Sequence, residues 1–71
     1  MATRDLEITV LRRGKPVESL DVHGDINDLP TLRATLRSWL EGHRWGQGMW
    51  PQFSADVRYA GENKIRKRVR I

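Results

Sequence analysis

Apolar and polar positions alternate along the first part of the chain. Leu6, Ile8 and Val10 fall on one side and Glu7, Thr9 and Arg13 on the other, which predicts a half-buried strand over Leu6–Arg13. Gly14-Lys15-Pro16 reads as a turn, and Val17–His23 alternates again with Leu20 and Val22 as its apolar set. A slip of one residue would send every side chain to the wrong face. A three-residue loop at 14–16 keeps the faces matched, pairing Val10 with Leu20, Ile8 with Val22, Arg12 with Glu18 and Thr9 with Asp21.

After a turn at Gly24–Asn27 the period lengthens. Leu29, Leu32, Leu36, Trp39, Leu40 and His43 lie on one helical face, with Arg33, Arg37 and Glu41 opposite. Asp28 or Asn27 supplies the cap, Pro30 sits in the first turn where its missing N–H does no harm, and Gly42 or Arg44 marks the end. Trp39 is expected in the core. Trp45–Pro51 (WGQGMWP) has too much Gly and Pro for regular structure, yet it carries Trp45, Met49 and Trp50. A period of two returns with Phe53, Ala55, Val57 and Tyr59, and again with Ile65, Val69 and Ile71 after a turn at Gly61-Glu62-Asn63. Tyr59 is expected opposite Ile65, Ala55 opposite Val69 and Phe53 opposite Ile71.

The predicted order is hairpin, helix, hairpin (ββαββ), an α+β fold in which one helix covers one face of a four-stranded sheet. This order resembles the β-grasp arrangement of ubiquitin-like and immunoglobulin-binding bacterial domains. The resemblance implies a mixed sheet with the first and last strands central and parallel, and it implies no activity. A length of 71 residues fits one domain with a small core. Residues 1–4 are expected to be flexible.

Composition narrows the chemistry. There is no Cys, so a disulfide framework, a thiolate zinc site and a thiol nucleophile are excluded. No apolar run is long enough for a membrane span, and the N-terminus has no apolar stretch resembling a signal peptide. A cytoplasmic setting is expected. His23 and His43 are the only histidines, and Ser19, Ser38 and Ser54 have no base near them in sequence. The expectation is a non-enzymatic protein without a cofactor. Asp21, His23 and Asp25, spaced by two, share one side of an extended chain, but acidic turns of this kind more often cap helices than hold a metal.

The net charge of +4 is localised. Acids and bases balance over residues 1–55, and the whole excess lies in 56–71. Arg58, Arg66, Lys67, Arg68 and Arg70 are therefore candidates for phosphate contact. Glu7, Asp21 and Asp56 fall on the same open sheet face and offer them partners within the chain. The second candidate is Trp45, Met49, Trp50 and Pro51, large apolar groups suited to anchoring a protein partner. The alternative role for these side chains is closing one end of the core. Edge strands in so small a sheet also make pairing with a second copy plausible.

Two functions follow as expectations. One is a protein-interaction module that grips a protein partner or its own copy. The other is a small basic nucleic-acid-binding protein using the C-terminal Arg-rich strand. The preference for Arg over Lys, the three Trp and the lack of Cys are similar to small accessory proteins of GC-rich actinobacteria and their phages, which often act by binding a host component.

Overall fold

The computed structural model describes residues 3–71. Strands β1 (Arg4–Arg12) and β2 (Lys15–Gly24) form the first hairpin, and helix α1 (Leu29–Gly42) follows. A 3-10 helix, Gln47–Gln52, leads into β3 (Phe53–Tyr59) and β4 (Lys67–Arg70). The ββαββ order and the helix packed on one sheet face are as expected. Arg4 already pairs with Gly24, so β1 begins within the segment expected to be flexible. The remainder of that expectation, at residues 1 and 2, lies outside the described residues.

The strand arrangement differs from the mixed sheet. The order is β2-β1-β3-β4, and every neighbouring pair is antiparallel. The cause lies in where the chain re-enters the sheet. The 3-10 helix ends beside the C-terminal end of β1, where the Arg13 N–H donates to the Gln52 carbonyl at 2.8 Å. From there β3 can only run back along β1, from Arg12↔Phe53 to Leu6↔Tyr59. It occupies the place that the last strand was expected to take, and β4 becomes an edge.

The first hairpin is closed by Arg13 and Gly14, with φ of 53° and 80°. Positive φ at both central residues is the signature of a type I′ turn, whose twist suits a two-residue hairpin. Such a loop would mismatch the faces if the ladder were regular. A bulge restores the match: Leu11 faces Pro16, but Val10 faces Glu18, leaving Val17 as the extra residue. Ile8 therefore faces Leu20 and Thr9 faces Ser19, each two residues short of its expected partner, while Arg12 faces Lys15. The shift by two keeps the apolar face inward. It also moves Glu18 from opposite Arg12 to opposite Val10, still on the helix side of the sheet, and leaves Val17 51% exposed.

The second hairpin has the expected register where it is paired, with Ala55 opposite Val69. The ladder extends only from Ser54↔Arg70 to Val57↔Lys67, so the Tyr59–Ile65 and Phe53–Ile71 pairs do not form. Ile65 lies in the connection and is exposed.

Helix α1 follows its sequence signals. Asp28 caps it, accepting from the Thr31 N–H at 3.3 Å and the Thr31 hydroxyl at 2.7 Å. Leu32, Leu36 and Leu40 pack against Leu6, Ile8 and Val10 of β1, Ala55 and Val57 of β3, and Val69 of β4. Ile26, Phe53 and Trp50 complete this core. Trp39 is half-buried at the margin of the core, its ring stacked on His43 with centroids 4.2 Å apart. No helix among the described residues is long and apolar enough to cross a membrane.

Candidate functional site

The Trp-containing segment serves largely as a plug. The 3-10 helix turns Trp50 inward until it is 9% exposed, and its indole N–H donates to the Trp45 carbonyl at 3.0 Å. Trp45 lies tilted against Phe53 at 5.1 Å, with the Arg12 guanidinium 4.6 Å from its ring centre. Met49 packs on the core margin, and Pro51 is exposed. Of these four candidates, Pro51 alone is fully at the surface. A core this small needs the area of a buried Trp to close its open end.

The basic C-terminal segment is half neutralised within the chain. On the open sheet face Glu7 lies between Asp21 and Arg58, and Asp56 between Thr9 and Arg68. Arg58 is bonded to Glu7, and Arg68 reaches Asp56 at 2.8 Å. Arg66 bonds Glu62 at 2.9 Å, and Arg4 stands 3.8 Å from the same carboxylate. The hydrogen bond that Arg66 donates holds the Glu62 carboxyl below its usual range, and the one that Arg68 donates to Asp56 raises Arg68 above its own. Lys64, Lys67 and Arg70 have no carboxylate within ion-pair distance among the described residues.

Asp21, His23 and Asp25 do not converge. His23 Nδ1 meets Asp5 Oδ1 at 2.9 Å, while Asp25 accepts from the Asn27 N–H at 2.9 Å within its own turn. Among the described residues no three His, Cys, Asp or Glu side chains come together as a metal site.

A surface that the linear pattern did not reveal lies beside β2. The helix lies over β1, β3 and β4, where the inward side chains of Leu6, Ile8, Val10, Ala55, Val57 and Val69 are buried, and leaves Leu20 and Val22 of β2 only half covered. The uncovered strip forms a groove of about 610 Å³ between β2 and α1. Leu20 and Trp39 line it together with the small side chains Ala34, Thr35 and Ser38. At its end the Trp39 indole N–H bonds the Glu18 carboxylate, and His43 Nε2 stands 3.7 Å from the same group. The recurrence of small residues at positions 31, 34, 35, 38 and 42 was the available signal, but a helix covering only part of a sheet cannot be read from one element.

Among the described residues no strand pairs with the outer edge of β2, which runs for ten residues. The Ala60 N–H donates to the Asp5 carbonyl at 3.0 Å, so Asp5, Glu7 and Thr9 turn their backbone groups toward β3. Leu6, Ile8 and Val10 turn theirs toward β2, which meets them with Val22, Leu20 and Glu18. By the same alternation Ser19, Asp21 and His23 direct their N–H and C=O groups outward. The Val17 bulge and Pro16 protect one end of this edge, and the rest is open to pairing.

Compared with family models, curated proteins and solved structures, the chain matches none.

Proposed function

We propose that this chain is a small non-enzymatic protein-interaction module that takes an extended protein segment along the β2 edge. The observation that carries this reading is the pairing of an open strand edge with an apolar groove on the same flank. Main-chain bonds to Ser19, Asp21 and His23 would supply affinity. Alternate side chains of the added strand would enter the groove beside Leu20 and Trp39 and supply selectivity. The Trp45–Pro51 segment then acts mainly by supporting the fold, with Pro51 as its exposed part. A cytoplasmic setting and a host protein as partner belong to the same reading, supported by the compositional resemblance to small accessory proteins.

Capture from a nuclease-treated cell extract tests it. Leu20→Lys places a charge in the groove at a half-exposed position, and the captured protein should fall by about tenfold or more, the scale of a removed interface anchor. Arg70→Glu, at the other edge, should leave capture of such a partner in place. Equal capture by wild type and Leu20→Lys would contradict the reading.

Nucleic-acid binding remains the second reading, because Lys64, Lys67 and Arg70 stand without carboxylate partners among the described residues. With about 0.9 counterions released per phosphate neutralised, three free cations give a log–log salt slope no steeper than about −3. Titration of a duplex oligonucleotide between about 50 and 200 mM salt measures it. A slope near −6 would mean that the ion-paired arginines also engage phosphate and would favour this second reading.

A further inference from the structure

The two free edges of the sheet carry opposite charge. On the β2 side are Glu18 and Asp21, followed by Asp25 and Asp28 in the turn leading to α1. The β4 side carries Arg66, Lys67, Arg68 and Arg70. Pairing like edges about a two-fold axis would set acid against acid or base against base, which destabilises a strand pair. Pairing unlike edges sets acid against base.

From this complementarity we infer that the occupant of the β2 edge is β4 of a second copy, joined head to tail. The inference rests on the reading of β2 as a docking edge and names its partner. Strand directions support it. Every neighbouring pair in the sheet is antiparallel, so β4 of one copy and β2 of an equally oriented copy are also antiparallel, and the sheet continues with both helices on one face. Backbone groups agree too. Lys67 and Val69 lie opposite Val57 and Ala55. The alternation that turns Ser19, Asp21 and His23 outward on β2 turns Arg68 and Arg70 outward on β4.

One register satisfies both faces. It places Asp21 opposite Arg70, Val22 opposite Val69 and Leu20 opposite Ile71. Arg70 has no carboxylate partner in its own chain among the described residues, and Asp21 has no cationic one. Ile71, 43% exposed in the single chain, enters the groove beside Leu20 and Trp39. His23 and Arg68 face each other in this register, each already held by a carboxylate of its own chain, Asp5 and Asp56. A contact of one short strand is smaller than the roughly 1,200 Å² of a stable interface, so the association is weak and concentration-dependent. Head-to-tail contacts do not close at two copies, so assembly proceeds past the dimer.

Sedimentation equilibrium of the full chain, up to about 1 mM at low salt, tests this. The average mass should rise beyond the dimer with concentration and fall when salt is added. Asp21→Arg disables the β2 edge and Arg70→Glu the β4 edge, and each alone should weaken association about tenfold or more. Mixed one to one, they should recover association past the dimer, because the β4 edge of Asp21→Arg meets the native β2 edge of Arg70→Glu, and the two exchanged charges complement each other at the alternate contact. Asp21→Asn and Arg70→Gln, which preserve size, should show the same order with smaller steps, and thermal melts verify that every variant folds. A wild type that stays monomeric, a plateau at the dimer, or a mixture that fails to associate would each overturn the inference. If self-association is absent but Leu20→Lys still abolishes capture of a partner, only this inference falls. If both are absent, the docking edge falls with it.

Discussion

Trp50→Ala should remove a large part of the chain's stability. The side chain is 9% exposed and joins the same core as Leu36, Leu40 and Phe53. Truncating a buried Trp to Ala removes about 3–5 kcal/mol, part of it lost burial and part the cavity left behind. At about 0.05–0.15 kcal/mol per residue, a chain of 71 residues has about 4–11 kcal/mol in total. The loss is therefore comparable to the whole stability at the lower end of that range. The indole also donates to the Trp45 carbonyl, so Trp45 and Met49 lose their support in the same substitution. Urea denaturation with Trp50→Phe alongside measures the effect, and the Phe variant should keep most of the stability. An Ala variant as stable as wild type would return the Trp segment to the role of an exposed binding loop.

Glu7→Gln should lower stability by about 1–3 kcal/mol, the scale of leaving a poorly solvated charge without its partner. Glu7 sits mid-sheet between Asp21 and Arg58. Its side chain and that of Arg58 are each 27% exposed, so solvent screens the pair only in part. The Arg58 Nε is buried without a hydrogen-bond partner among the described residues, so the guanidinium already depends on Glu7. Replacing both residues by Met should recover much of the loss, because a similar-sized apolar pair needs no compensation. A double-mutant cycle checks the coupling. A coupling below about 0.3 kcal/mol would make this an ordinary surface pair.

Local order in this chain was legible and neighbour choice was not. The spacing from Leu29 to Leu40, the Asp28 cap and Gly42 locate α1 with little ambiguity. The alternation at Phe53–Tyr59 and the Ala55–Val69 register were likewise present in the sequence. Alternation states which face of a strand is apolar, but it does not state which strand lies beside it. Here β3 pairs along β1 from Arg12↔Phe53 to Leu6↔Tyr59, with the Arg13–Gln52 main-chain bond at its start, and β4 is left at the edge. The first hairpin was misjudged for a related reason. A bulge at Val17 changes the count by one while preserving the faces, and facial matching cannot see it.

The candidate sites divide along the same line. The acids that could neutralise the Arg-rich strand were visible as residues sharing a face, and Glu7 and Asp56 do bind Arg58 and Arg68. The groove beside β2 depends on how far α1 reaches across the sheet, a property of the assembled layers. Glu18 shows the consequence. It shares the helix-side face in either register, but its bond to Trp39 depends on α1 lying beside β2, which no strand pattern states.

Amide hydrogen exchange tests the docking edge most directly. In dilute solution Ser19, Asp21 and His23 should exchange fast, because their N–H groups face water at the free edge. With the captured segment bound, these three amides and the Trp39 indole should slow by at least about tenfold; at high concentration of the chain itself the slowing should fall on Asp21 and His23, which face Arg70 and Arg68, while Glu18, Leu20 and Val22 keep the protection that β1 already gives them. Unchanged exchange at Ser19, Asp21 and His23 in the bound state would contradict the β2 edge as the interaction surface.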